Sequence, residues 1–163
     1  MIVVDNFLTP EDFKSVNAAW EKIPTGTWLD VGDKPPDTLS QCAVLLWNFF
    51  NPRHVESVVG YEYWTNTLSN TVPLDWHYDK DEALWELTGE IVTPTMGAVL
   101  YGDGVVTGGY LEVQQDDGEV ERIQHKPNRA VFFEAGKLLH RVSPVKSGQR
   151  RTLACNIWER KLT

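Results

Sequence analysis

The sequence contains little cysteine and has no long apolar run. Its 163 residues include only two cysteines, Cys42 and Cys155. Both lie in apolar segments, where a small buried thiol is the usual explanation. No stretch approaches membrane-spanning length, and no basic segment followed by an apolar run begins the chain. We therefore expect a cytoplasmic protein with no membrane partner, whose core forms without disulfides.

Basic residues are also scarce. Fifteen Lys and Arg against 23 Asp and Glu give a formal net charge of −8, which disfavours binding to phosphate backbones. A basic cluster near the C-terminus lacks the interleaved aromatic residues that stack on bases. We expect no nucleic-acid partner, and the composition leaves the oligomeric state open.

Aromatic residues, in contrast, are plentiful. Seven Trp, six Phe and five Tyr suit both the core of a barrel and the walls of a small-molecule site. No internal repeat, low-complexity tract or linker divides the chain. We therefore expect residues 1–163 to form a single domain.

The first fifty residues carry helix, loop and strand signals. Thr9 can cap a helix that starts with Pro10 and runs to about Lys22. The polar segment 30–40 contains two adjacent prolines and predicts a loop, whereas the apolar run 41–49 predicts a β-strand. The helix that begins at Pro10 is expected to cover a face or an edge of a sheet.

The next segments are less regular. Asn51-Pro52 predicts a brief helical turn, and residues 61–67 are compatible with a strand or a loop. His54 and His125 lie in polar, turn-like surroundings without a partner at ligand spacing. We assign these two histidines no role.

Short strand candidates recur at close spacing in the rest of the chain. They are residues 73–78, 95–101, 109–115, 119–124, 130–134, 138–142 and 150–158. Asp117-Gly118 predicts a tight hairpin turn between two of them. Regularly spaced short strands indicate an all-β sandwich or barrel instead of βαβ units. We predict a mainly β fold with flanking helices, a double-stranded β-helix of the jelly-roll, cupin-like type.

His77 and Asp79 form the most informative pair in the sequence. They lie two apart on a predicted strand, so that both side chains project from one face and can bind one ion. His140, in a later strand candidate, is the natural third ligand. Two imidazoles and one carboxylate leave coordination positions open, as in non-haem Fe(II) oxygenases. The alternatives are a surface His-Asp pair and a core histidine bonded to a backbone carbonyl.

Arg150 is the candidate for binding an anion. Residues 144–148 resemble a turn, which would join the strands of His140 and Arg150 in one hairpin. An arginine beside a metal inside an apolar barrel needs an anionic partner, because an unpaired buried guanidinium is very costly. Strand alternation directs Arg150 and Asn156 into a cavity and Arg151 to the opposite, packing face. A shift of one residue would reverse these directions.

These residues belong to a longer set of motifs. The set comprises Val4-Asp5-Asn6-Phe7-Leu8-Thr9-Pro10-Glu11, His77-Tyr78-Asp79, Tyr101, Gly108-Gly109-Tyr110-Leu111 and His140-x-Val142-x-Pro144-Val145-x-x-Gly148-x-Arg150. It resembles the prolyl 4-hydroxylase-like branch of the 2-oxoglutarate and Fe(II)-dependent dioxygenases. One departure is Gly102-Asp103-Gly104, where many relatives have Leu-Asn.

The resemblance implies a role for each matched residue. His77, Asp79 and His140 would bind iron, which also binds O2. Arg150, ten residues after His140, would pair with the distal carboxylate of the cosubstrate 2-oxoglutarate, and the hydroxyl of Tyr101 would support the same carboxylate.

The resemblance also implies a reaction. A C–H bond, first of all in a prolyl or other residue of a peptide or protein, would be hydroxylated with release of succinate and CO2. Residues 30–40 and 78–85 are expected at the rim of the site. The alternatives are a small-molecule hydroxylase, a non-catalytic jelly-roll module that binds a carboxylate, and a metal-dependent isomerase or hydrolase. Nucleic-acid demethylation is disfavoured, because position 156 is Asn where that branch has a second arginine.

Overall fold

The computed structural model describes residues 1–50, 57–69 and 73–163. In these ranges the helices are α1 Pro10–Ala18, α2 Thr38–Phe50 and α3 Glu82–Thr88. The strands β1 to β12, in chain order, are Ile2–Val4, Trp28–Asp30, Gly60–Leu68, Leu74–His77, Met96–Tyr101, Thr107–Gly108, Leu111–Gln114, Val120–Ile123, Ala130–Phe133, His140–Val142, Val145–Ser147 and Arg150–Trp158.

The strands form antiparallel sheets. The larger sheet has the order β1-β9-β5-β12-β3-β2, the smaller one has the order β4-β10-β7-β8, and β11 pairs separately with β6. Residues of the six-stranded sheet and of the four-stranded sheet line one cavity between the two sheets. The predicted mainly β, jelly-roll architecture with flanking helices is confirmed, and each strand candidate after residue 73 coincides with an observed strand.

Helices α1 and α2 cover the outer face of the larger sheet. Leu153, Cys155 and Ile157 of β12 are buried in the same hydrophobic cluster as Ala43 and Leu46 of α2. The inner face of the sheet is thereby left free to line the cavity. No helix in the described ranges is long and apolar enough to cross a membrane.

The prediction of a strand at residues 41–49 is wrong, because this segment belongs to α2. Its buried positions are Leu39, Cys42, Ala43, Leu46 and Trp47, a spacing that forms one stripe on a helix. At its start, the amide of Ser40 donates to Oδ1 of Asp37 at 2.8 Å and the amide of Asp37 donates to Oγ of Ser40 at 3.0 Å. This reciprocal cap favours helix over strand.

Helix α1 is shorter than expected, and one further helix was not expected. Thr9 caps α1 as predicted, but α1 ends at Ala18. Beyond Ala18 the chain leaves the helix, and Ile23 then pairs with Thr65 of β3 through two hydrogen bonds. Helix α3 was not predicted from the sequence, although Asp81 caps its start and Gly89 ends it with a φ of 74°.

The predicted hairpin between His140 and Arg150 is also wrong. Strand β10 lies in the smaller sheet and β12 in the larger one, while the intervening β11 pairs with β6. The crossing is tight at Gly148, where φ is 84° and an added Cβ would lie 2.1 Å from the carbonyl oxygen of Val105. The connection therefore carries the chain from one wall of the cavity to the other.

The remaining local predictions have mixed outcomes. The hairpin at Asp117-Gly118 joins β7 to β8, with Gly118 at φ 85°. Residues 61–67 form a strand, β3. The helical turn predicted at Asn51-Pro52, and His54, lie outside the described residues.

Candidate metal and cosubstrate site

His77, Asp79 and His140 converge at one end of the cavity. His77 is the last residue of β4, and it is the register partner of His140, the first residue of β10. Asp79 follows two residues after His77, and its amide donates to the carbonyl oxygen of Ala135 at 3.0 Å. Strand pairing thus brings together two histidines that are 63 positions apart in the sequence.

The three side chains present one ligand atom each. The Nε2 atoms of His77 and His140 lie 3.5 and 3.4 Å from Oδ1 of Asp79. All three ligand atoms lie within 4.8 Å of one another. A donor set of two imidazoles and one carboxylate on one side of an ion matches the facial triad of non-haem iron sites.

Backbone contacts fix the tautomer of both histidines. Nδ1 of His77 lies 2.7 Å from the carbonyl oxygen of Asp75, and Nδ1 of His140 lies 2.9 Å from that of Leu138. A carbonyl can only accept, so each Nδ1 carries a proton, and each Nε2 is the ring nitrogen that faces Asp79 and can bind a metal when it carries none. Such contacts hold metal-binding imidazoles in orientation.

The two carboxylate oxygens of Asp79 have different surroundings. Oδ1 faces the histidines, whereas Oδ2 accepts a hydrogen bond from Nδ2 of Asn156 at 2.9 Å. Burial opposes ionisation, but hydrogen bonds with His140 and His77 outweigh it and hold the pKa of Asp79 well below its ordinary value. The carboxylate is therefore charged at neutral pH, as a metal ligand must be.

The cavity extends from this end into the space between the sheets. Its lining residues are Trp64, Asn66, Leu74, His77, Asp79, Gly97, Ala98, Val99, Leu111, Phe133, Ala135, His140, Val142, Arg150, Thr152, Ala154 and Asn156. The lining is mostly apolar. Among the described residues, Arg150 is the only lining residue that carries a permanent positive charge.

Arg150 faces this cavity and is only 2% exposed. Its Nε donates to the carbonyl oxygen of Gly109 at 2.9 Å. Within the described residues no carboxylate forms an ion pair with it. Arg151, in contrast, is outside the cavity lining, and its guanidinium contacts Gln149 at 3.4 Å.

Tyr101 lies behind Arg150. The ring is fully buried, and its centroid is 5.1 Å from the guanidinium carbon of Arg150. Its hydroxyl has no hydrogen-bond partner among the described residues. A buried hydroxyl without a partner, next to a buried cation, suits a ligand that accepts hydrogen bonds, such as a carboxylate.

An exposed apolar groove adjoins the metal end of the cavity. His77 lines both. The other groove residues are Trp76, Tyr78, Lys80, Trp85, Ile91, Thr93, Gly136, Lys137 and Leu139. Residues 78–85 thus contribute to the rim as expected. Residues 30–40 contribute nothing to the groove or the cavity, because they end β2 and begin α2 on the outer face.

Sequence reasoning missed two residues. Asn156 appeared only as a member of the cavity face, and its contact with Asp79 depends on a strand far away in sequence. His125 was assigned no role because its neighbours are polar, yet it is only 6% exposed and its ring centroid lies 5.0 Å from that of Tyr101. The alternation of β12 could have suggested Asn156, whereas no sequence signal indicated His125.

Comparison with known proteins agrees with this geometry. The family model of the 2OG-Fe(II) oxygenase superfamily matches residues 63–158, which include all five predicted site residues. None of the curated proteins compared with the chain matches it.

Solved structures share the fold. A prolyl-4-hydroxylase of Pseudomonas putida is 18% identical, with a TM-score of 0.71 over 98% of this chain and 92% of that one. A prolyl hydroxylase of Trichoplax adhaerens, in complex with a hypoxia inducible factor peptide fragment, is 13% identical, with a TM-score of 0.68 over 97% and 83%. The viral collagen prolyl hydroxylase of Paramecium bursaria Chlorella virus-1, in its 2OG complex, is 16% identical, with a TM-score of 0.64 over 96% and 93%.

The chain belongs to the 2OG-Fe(II) oxygenase superfamily. It is an oxygenase whose metal is Fe(II), whose cosubstrate is 2-oxoglutarate and whose oxidant is O2. Because the solved structures have low sequence identity to this chain, they support the fold alone. The assignment to the superfamily rests on the family model.

Replacing Asn156 by alanine removes the amide that holds Oδ2 of Asp79. We expect Mn(II), as a stand-in for Fe(II), to bind about 10–100-fold more weakly, measured by electron paramagnetic resonance titration. Asn66→Ala is the matched control, because in the described part of the chain Asn66 lines the cavity without a hydrogen bond to Asp79. Unchanged affinity in Asn156→Ala, or an equal loss in both variants, contradicts this role.

Proposed function

We propose that this enzyme hydroxylates a C–H bond in a prolyl or other residue of a peptide or protein, with release of succinate and CO2. The observation that carries the proposal is the arrangement along one cavity. A facial set of three ligands lies at its exposed end, and a buried guanidinium without a carboxylate partner lies further in.

We assign the iron to His77, Asp79 and His140. Their fixed tautomers and the charged carboxylate support this assignment. The bound iron supplies the activation of O2 with oxidative decarboxylation of 2-oxoglutarate. The three residues would hold the ion through one atom each and would leave other positions on it for the cosubstrate and O2.

We assign the distal carboxylate of 2-oxoglutarate to Arg150 and Tyr101. The guanidinium supplies a charge-assisted hydrogen bond, and the Tyr101 hydroxyl can donate another. The surrounding apolar lining excludes water, which strengthens both interactions. The same contacts orient the cosubstrate, so that its other end reaches the metal ligands.

We assign the groove to the peptide. Trp76 and Trp85 offer flat apolar faces beside His77, and cationic groups lie over both rings. Nζ of Lys80 is 4.5 Å from the Trp85 centroid, and the guanidinium carbon of Arg141 is 4.6 Å from the Trp76 centroid. The rest of the groove lining is mostly apolar, which suits a proline ring and its neighbours. The peptide bound by the Trichoplax adhaerens neighbour supports this class of substrate.

Removal of a metal ligand should abolish turnover. We expect His77→Ala and Asp79→Ala each to stop the slow release of succinate from 2-oxoglutarate that occurs without substrate. Asp75→Ala is the control, because this exposed carboxylate lies on the same strand as His77 and its side chain, within the described residues, accepts a hydrogen bond only from the amide of Trp76. Unchanged succinate release in both ligand variants would contradict the assignment of the iron ligands. If the protein were a non-catalytic binding module, even the wild type would release no succinate.

Removal of the guanidinium should weaken the cosubstrate. We expect Arg150→Ala to reduce 2-oxoglutarate binding by about 2–5 kcal/mol while Mn(II) binding is retained, since the side-chain hydrogen bond of Arg150 in the described chain goes to Gly109 and not to the proposed metal ligands. The measurement is thermal stabilisation by 2-oxoglutarate plus Mn(II). Arg151→Ala is the matched control outside the cavity lining. Loss of stabilisation in Arg151→Ala, with Arg150→Ala unaffected, would reverse the assignment.

The groove can be tested with proline-containing peptides that stimulate succinate formation. For a stimulating peptide, we expect Trp85→Ala to raise KM about tenfold, equivalent to ~1.4 kcal/mol. Leu87→Ala should change nothing, because Leu87 lies on the same helix, is 74% exposed and does not line the groove. Stimulation by a small metabolite alone, unaffected by Trp85→Ala, would instead support the small-molecule hydroxylase.

A further inference from the structure

The permanent charges that line the exposed groove all have one sign. Lys80 and Lys137 belong to the lining, and none of the described groove residues is a carboxylate. The chain as a whole is acidic, with a formal net charge of −8. A positively charged groove on a negatively charged protein favours a ligand that carries negative charge where it enters the groove.

Lys80 is the accessible cation next to a candidate metal ligand. It directly follows Asp79 in the chain. Arg141 directly follows His140, but its Nε donates at 2.5 Å to Glu112, whose side chain is only 3% exposed. Arg141 is thereby committed to the fold, because a buried carboxylate that lost its partner would be costly. It also lies outside the groove lining, so that a substrate in the groove meets Lys80 instead.

The ammonium group of Lys80 is held in place without being saturated. Its Nζ lies 4.5 Å from the centroid of the Trp85 ring, and its side chain is only 21% exposed. Its one hydrogen bond in the described chain goes to Oε1 of Glu82 at 2.8 Å. An ammonium group has three donors, so two remain for a ligand. The side chain of Glu82 is 62% exposed, and a partner in such a position yields readily to another carboxylate.

The other acidic side chains near Lys80 have partners of their own. Lys80 also lines a pocket that contains Glu62 and Asp81. Both carboxylate oxygens of Asp81 accept from backbone amides, and one oxygen of Glu62 does so too. Of the acidic residues in this pocket, Glu82 alone forms an ion pair with Lys80 in the part of the chain described.

Lys137 is the weaker of the two groove cations. Its side chain is exposed, and it pairs with the half-exposed Glu134. Solvent and salt screen a charge in such a position. Lys137 thus adds to the positive potential of the groove but does not hold a carboxylate in one place.

We propose that the groove selects peptides with an acidic residue next to the prolyl residue, and that Lys80 binds the carboxylate of that acidic residue. This inference rests on the proposed function of the groove. Consecutive Cα atoms lie about 3.8 Å apart in the enzyme and in the peptide alike. A residue next to the proline that meets the metal ligands is therefore close to Lys80, which is next to Asp79. Lys80 is thus a specificity-determining residue.

The test compares capped peptides in which one proline is flanked by alanines, and aspartate, asparagine or lysine replaces the alanine on one side or the other. Succinate formation by the full, Fe(II)-loaded chain is measured at saturating 2-oxoglutarate. We expect KM for an aspartate peptide to be about two- to fivefold lower than for the uncharged asparagine peptide of the same shape. Added salt should reduce this difference, and lysine should raise KM.

The matched variants change one charge each. We expect Lys80→Gln to remove the preference for aspartate over asparagine, and Lys80→Arg, which keeps the charge, to retain most of it. Glu82→Gln should increase the preference, because it removes the carboxylate that competes for the same ammonium group. Lys161→Gln is the control, because Lys161 also forms an exposed ion pair, with Asp30, and lies outside the groove. The ratio of two KM values in one protein cancels general effects of a substitution on the metal or the fold.

The outcomes separate this inference from the proposed function. Equal KM values for the aspartate and asparagine peptides in the wild type, or a preference that Lys80→Gln retains, overturn the role of Lys80 and leave peptide hydroxylation intact. An equal loss of the preference in Lys161→Gln would assign it to the overall charge of the protein and also overturn that role. If no prolyl peptide stimulates succinate formation and a small metabolite does, the proposed function of the groove and this inference both fail.

Discussion

A buried guanidinium with no carboxylate partner in the described chain is the constraint on which the cavity depends. Isolated charges of this kind are costly inside proteins, so the fold must hold Arg150 against a free-energy penalty. It does so at the start of β12, a nine-residue strand bonded to β3 along its whole length and to β5 along most of it. The pairing of this central strand on both sides would hold the proposed anion site in place before any anion binds.

Each of the two large sheets contributes part of the candidate site. The smaller sheet supplies both histidines through the register of β4 and β10, and the larger sheet supplies Arg150, Tyr101 and Asn156. The hydrogen bond from Asn156 to Asp79 joins the two walls at the metal end. One carboxylate oxygen is thereby committed to the larger sheet, so that the other is directed at the histidines. The arrangement of the three candidate ligands thus depends on how the two sheets face each other.

Local sequence patterns predicted the parts of the molecule in which local forces dominate. The short strands after residue 73, the tight turn at Gly118 and the spacing of His77 and Asp79 all follow from period-two alternation and turn chemistry. The segment 41–49 failed because its apolar composition concealed a helical stripe that only its burial reveals. The hairpin failed because residues 144–148 cross between sheets, a tertiary choice that looks like a turn in sequence. Asn156 and His125 owe their surroundings to strands that are distant along the chain.

The gradient of exposure along the cavity explains how one site can serve two molecules. At the inner end Arg150 and Tyr101 are almost inaccessible, whereas the side chain of His77 at the outer end is 32% exposed and also lines the apolar groove. A cosubstrate bound at Arg150, as proposed, would therefore be positioned by the sheets themselves, and its charge would be matched where little water can reach. A peptide in the groove would meet the metal ligands at His77 and cover the mouth of the cavity. The aromatic groove and the buried arginine are thus two ends of one path, and the metal ligands lie where the two molecules would meet.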